Sequence, residues 1–112
     1  MKTTAQCEGW WEQNVYGRQP MSPLTLTFTD GEIQGSGNDI VGPFTMTGTM
    51  RDGQVVIHKQ YLGKHATKYI GQFDGEGSMQ GSWHIGDVTG PWGIRYLGKP
   101  TCDDNIADIR DL

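Results

Sequence analysis

Residues 44–50 read Phe-Thr-Met-Thr-Gly-Thr-Met, a strict two-residue alternation that sets Phe44, Met46, Gly48 and Met50 on one face and three threonines on the other. Such a period belongs to a strand with one buried face, not to a helix. Leu24, Leu26 and Phe28 repeat it, with Thr25, Thr27 and Thr29 between them; the branched Cβ of threonine suits an exposed strand face. Turn signals recur at short intervals: Asp30-Gly31, Asp52-Gly53, Leu62-Gly63-Lys64 and Asp74-Gly75-Glu76-Gly77. Asp-Gly supplies the positive φ angles of tight hairpins, so each signal joins neighbouring antiparallel strands. The pattern predicts about eight strands, over residues 9–16, 23–29, 32–37, 43–50, 54–61, 65–73, 78–85 and 90–96.

No gap between these strands holds a crossover helix, so the sheet is expected to be an antiparallel up-and-down meander. An open meander leaves two unpaired edges and closure removes them. The expected fold is therefore all-β: one closed barrel of about eight strands over residues 8–97, in a single domain spanning 1–112. An even strand number brings both termini to one end and pairs the first strand with the last. Residues 102–112, with Ile106, Ile109 and Leu112 spaced by three, predict a short C-terminal helix. Gln34-Gly35-Ser36 recurs as Gln80-Gly81-Ser82, and Tyr61-Leu62-Gly63-Lys64 as Tyr96-Leu97-Gly98-Lys99, which fits similar bends demanding similar residues.

Following the apolar phase, the interior receives Trp11, Gln13 and Val15, then Leu24, Leu26 and Phe28, Ile33, Phe44, Met46 and Met50, and later Met79, Trp83 and Ile85 and Trp92, Ile94 and Tyr96. The alternative phase of the first strand would bury Glu12. Glycines 35, 37, 48, 71 and 81 share the inward phase, where they either bend the barrel or hollow it. The fifth and sixth strands break the apolar pattern, since Val55 and Ile57 continue into Lys59 and Tyr61, while Tyr69 runs back through Thr67 to His65. A few polar groups converging in an aromatic interior is the make-up of a small-molecule site. With Lys59 inward and cationic, an acidic or phenolic ligand is expected. The bland alternative has Lys59 and His65 at a rim, in contact with water.

Other groups carry less. His58 and His84 fall on the phase opposite His65, so no three-ligand metal site and no cofactor is expected. Asp39, beside Asn38 and among glycines, reads as turn chemistry. Gly35-Ser36-Gly37 lacks the strand-to-helix setting of a phosphate loop. Seventeen glycines among 112 residues disfavour a helical bundle, and the net charge of −4 argues against nucleic acid or an anionic membrane as partner. No apolar run is long enough to span a bilayer and residues 1–7 lack a signal-peptide core, which predicts a cytoplasmic protein. There Cys7 and Cys102 are expected to be reduced thiols, the alternative being a disulfide between the two chain ends. Trp10-Trp11 places an indole on each face of the first strand, so one is exposed or covered by a second subunit, pointing to a homodimer.

The meander, the early Gly9-Trp10-Trp11 strand and the late Trp83 and Trp92 resemble calycin-like barrels of the lipocalin, fatty-acid-binding and avidin type. That resemblance implies a barrel holding a small hydrophobic or aromatic ligand against Trp11, Lys59, Tyr61, His65, Tyr69, Trp83 and Trp92. Two other readings remain. One is a cyclase or isomerase in which His65 or Tyr69 moves a proton and Lys59 stabilises negative charge; the other is an interaction module with a packed interior.

Overall fold

A computed structural model describes residues 2–102. Among them the strands are β1 (Lys2–Gln13), β2 (Gly17–Thr29), β3 (Glu32–Asn38), β4 (Pro43–Arg51), β5 (Gln54–Tyr61), β6 (Ala66–Phe73), β7 (Ser78–Ile85), β8 (Val88–Tyr96) and the two-residue β9 (Thr101–Cys102). Each of β2 to β8 pairs antiparallel with the next, and β1 closes the ring between β2 and β8. The fold is an eight-stranded closed meander barrel, as the alternation predicts. Short β9 continues the wall beside Thr3 and Thr4, so both described chain ends lie at the same end of the barrel. No described helix is long and apolar enough to cross a membrane, and the C-terminal helix expected over 102–112 falls almost wholly outside the described residues.

The first two strands depart from expectation. β1 begins at Lys2 and ends at Gln13, with residues 14–16 forming a turn in place of a strand end. Its early inward residues are Ala5 and Cys7, too small for the alternation to register. β2 starts six residues early, at Gly17. Its register against β1 slips between Cys7↔Leu24 and Gly9↔Met21, a bulge that leaves Ser22 and Pro23 opposite Glu8 alone. Met21 and Leu24 therefore both point inward, although they are three apart, and Met21 is fully buried.

Cross-strand registry stacks the inward residues. One row runs Leu26, Gly35, Met46, Lys59 and Thr67; another runs Phe28, Ile33, Gly48, Ile57, Tyr69 and Trp83. A third aligns Val55, Gly71, Gly81 and Trp92. Glycine is required at Gly71 and Gly81 because the wall coils sharply: an added Cβ would lie 2.1 Å from the Gln80 carbonyl oxygen and 1.9 Å from that of Ile70. Beside Gly71 lies the Trp92 ring, which donates its indole N–H to the Ile70 carbonyl at 3.2 Å. These two glycines bend the barrel and admit a large ring; they do not hollow it.

The two ends differ. At the end carrying the turns at 30–31, 52–53 and 74–77, Phe28 and Phe73 each lie 6.0 Å from the Tyr96 ring, centroid to centroid, and plug the barrel. Phe73, Met50 and Tyr96 are half-buried there. The opposite end is open, and Ile85, expected in the core, stands 38% exposed at its mouth. Cys7 is buried and Cys102 half-buried, both free. Cys102 pairs with Thr3 while Cys7 faces Tyr96, several residues along the strand, so the chain ends meet without bringing the thiols together. Burial pushes the Cys7 thiol up to about 11.

Gly81→Ala is expected to cost about 2 kcal/mol or more of unfolding free energy, because its Cβ meets backbone with no room to yield. Ser82→Ala, one residue on and facing out, should stay within about 0.5 kcal/mol. Urea unfolding of both variants compares them, and equal midpoints would refute the assigned role of Gly81.

Candidate functional site

Beneath the open mouth lies a cavity of about 330 Å³, lined among others by Trp11, Tyr61, His65, Thr67, Tyr69 and Trp83. Its floor is organised by Asp39, the residue whose setting reads as plain turn chemistry. The turn is there: Asp39 and Gly42 exchange both backbone hydrogen bonds, at 3.2 and 3.0 Å, and the Val41 amide donates to Asp39 Oδ1 at 2.9 Å. That local bond fixes the carboxylate so that Oδ2 points into the barrel. Oδ2 accepts from Lys59 Nζ at 2.6 Å, from Tyr61 Oη at 2.7 Å and from Trp11 Nε1 at 3.0 Å. The side chains of both charged partners are fully buried.

Four donors on one carboxylate define its ionisation state. Desolvation opposes the charge, but the hydrogen bonds from Lys59 and Tyr61, the Lys59 charge and the Val41 amide together hold Asp39 below its ordinary value. Burial pushes the Lys59 ammonium down to about 8, against the pull of Asp39. Both tyrosines are raised, Tyr61 by burial and then by its bond to Asp39, Tyr69 by burial and the same negative charge, so both keep their protons. Lys59 Nζ also reaches Tyr69 Oη at 3.2 Å and Met21 Sδ at 3.3 Å. Aromatic rings surround it, with centroids at 4.2 Å for Phe44, 4.6 Å for Tyr61, 5.3 Å for Tyr69 and 5.8 Å for Trp11. In a dry site such cation–π contacts are each worth up to about 2 kcal/mol.

Of the residues expected to form the site, Trp11, Tyr61, His65, Tyr69 and Trp83 line the cavity. Lys59 lies beneath it, sealed from solvent, so the rim alternative for this residue does not hold. Trp92 sits lower still, packed 5.2 Å from Tyr69, and reaches the cavity only through that ring. His65 is exposed at the mouth with its ring 5.0 Å from Tyr61. Trp11 and Trp83 meet edge to face at 6.4 Å, and Tyr16 meets Trp11 the same way at 6.2 Å. His58 and His84 flank Lys68 in one cross-strand row on the outer face. Trp10 also faces outward, half-buried, with the Arg18 guanidinium 3.8 Å from its ring. Arg18 of the same chain covers part of that indole.

Sequence reasoning missed Asp39 and Met21. For Asp39 a signal existed, because Ile33, Gly35 and Gly37 set an inward phase that arrives at residue 39. An inward Lys59 also demands an acid, and the Trp11 phase of β1 sets Glu12 outside. For Met21 no periodicity helps, since the bulge breaks it. Comparison with family models, curated proteins and solved structures finds no match to this chain.

Removing either partner of the buried pair leaves a charge without compensation, so Asp39→Asn and Lys59→Met are each expected to cost about 3–5 kcal/mol. The double variant should cost less than the sum by about 2 kcal/mol or more; additive costs from denaturant unfolding would mean that the pair is not coupled. Because the folded-state pKa of Asp39 is depressed, its contribution is complete above its unfolded value of about 4 and is lost as pH falls through the depressed value. Wild type should therefore lose more stability between about pH 5 and 2 than Asp39→Asn, and parallel acid curves would contradict this.

Proposed function

We propose that this protein is a non-enzymatic binding barrel that holds one small hydrophobic or aromatic molecule in its open end. The observation that carries this reading is the division of the interior. One end is plugged by Phe28, Phe73 and Tyr96, while the other encloses a cavity of about 330 Å³ walled by Trp11, Trp83, Tyr61 and Tyr69. That volume falls at the small end of the roughly 300–1,000 Å³ typical of ligand sites. The rings are held by contacts with one another and with the Asp39 network, so little ordering is left to be done on binding. The architecture supports a calycin-like barrel, and a solidly packed interaction module fits the mouth poorly.

A ligand seated here touches Trp11 and Trp83, so intrinsic fluorescence reports it. A screen of small aromatic and aliphatic compounds should give saturable quenching together with a rise in Tm. Trp83→Leu, which keeps an apolar wall but removes the indole, should weaken binding about tenfold by deleting one stacking surface. A chemically diverse screen that moves neither fluorescence nor Tm would count against the binding reading, and product formation with His65→Ala inactive would favour a cyclase or isomerase instead.

A further inference from the structure

An inventory of hydrogen-bond donors narrows the class of ligand. We infer that the cavity selects uncharged hydrophobic molecules carrying at most one hydroxyl or carbonyl head group, and rejects their carboxylates; this rests on the binding reading above. The three protons of Lys59 are spent on Asp39, Tyr69 and Met21. Tyr61 and Trp11 give theirs to Asp39, Tyr69 turns its hydroxyl to Met21 Sδ at 3.8 Å, and Trp83 gives its indole N–H to the Glu12 carbonyl at 3.0 Å. Asp39 in turn neutralises the one cation beneath the floor, so no net charge reaches the cavity from below. Lys59 is inward as the strand phase predicts, yet the acidic ligand expected from it does not follow, because its counter-ion is already in place.

What the walls offer a ligand is mainly ring faces and ring edges. Among the described residues, the lining groups with hydrogen-bonding capacity in hand are the Thr67 hydroxyl, the His65 ring, the Gln13 carboxamide nitrogen and, at the exposed rim, the Tyr16 hydroxyl. These suit a hydroxyl or carbonyl oxygen and cannot replace the hydration of a carboxylate. The way in is apolar too. The turns around the mouth expose Val15, Tyr16, Ile40 and Leu62, and the start of β8 exposes Val88. Lys64, a surface cation of the 62–65 turn, gives its Nζ to the Val41 carbonyl at 2.8 Å.

The test uses matched pairs at pH 7.5: 2-naphthylmethanol against 2-naphthoate, indole-3-methanol against indole-3-carboxylate, and decanol against decanoate, each titrated by calorimetry into the full chain. In every pair that binds, the alcohol should bind at least about tenfold more tightly than the acid. Equal or tighter binding of the carboxylates overturns the inference while leaving the binding reading intact, whereas failure of all six compounds counts against the binding reading itself. Asp39→Asn supplies a second arm by removing the counter-ion of Lys59, whose place a ligand carboxylate can then take. If that variant folds, the alcohol-to-acid ratio should fall toward one or invert, and an unchanged ratio would show that the ion pair does not set the selectivity.

Discussion

The barrel is organised around one buried ion pair. Asp39 leaves the β3–β4 turn and Lys59 leaves β5, and they meet 2.6 Å apart with both side chains fully buried. Through them the network reaches Trp11 on β1, Met21 on β2, Tyr61 on β5 and Tyr69 on β6. A pair of this kind is poor evidence of net stability, since desolvation offsets much of the attraction. Its consequence is specificity. A one-residue slip of β5 would turn Lys59 outward and leave Asp39 alone in the core, so the pair penalises that misregister severely. No buried side-chain nitrogen or oxygen among the described residues is left without a partner, which is the condition under which a polar core is tolerated.

Ring size and glycine placement then decide where the barrel is full and where it is empty. At Gly71 and Gly81 the strands approach until no Cβ fits, and Trp92 packs beside them. Toward the plugged end Met79, Val55, Ile57 and Ile94 complete a dense core. Toward the mouth the rings of Trp11, Trp83, Tyr61 and Tyr69 stand as walls, because their polar tips are anchored to Asp39, Lys59 or a backbone carbonyl and cannot swing in to fill the space. The cavity thus follows from hydrogen bonds made behind it.

The legible part of this molecule is the part with a two-residue period. Leu24 to Phe28, Phe44 to Met50 and Val55 to Tyr61 announce their buried faces directly, and the Asp-Gly turns give the meander. Closure followed from a physical argument about edges. The start of β1 is not legible because Ala5 and Cys7 are too small to stand out against Thr4 and Gln6, and Met21 is not legible because a bulge shifts the phase by one residue. Asp39 is the instructive case. Its turn is local and readable, but the direction of its free oxygen depends on Lys59, Tyr61 and Trp11, which lie 20, 22 and 28 residues away. The inward phase of β3 reaches residue 39, but in a turn that phase alone does not fix a short polar side chain, and it takes the charge balance of the interior to place it.

That balance also changes what the lysine means. Alone, an inward ammonium among tyrosines would be an anchor for an anion. Paired with Asp39 and ringed by Phe44, Tyr61, Tyr69 and Trp11, it is a structural cation whose field is cancelled within about one hydrogen-bond length. On the proposed binding reading, recognition in such a cavity comes from shape and from aromatic surface, with Thr67 and His65 as secondary polar contacts. The protein has put its strongest electrostatics into holding rings still, and a preorganised aromatic wall needs less ordering when a guest arrives than one assembled around it.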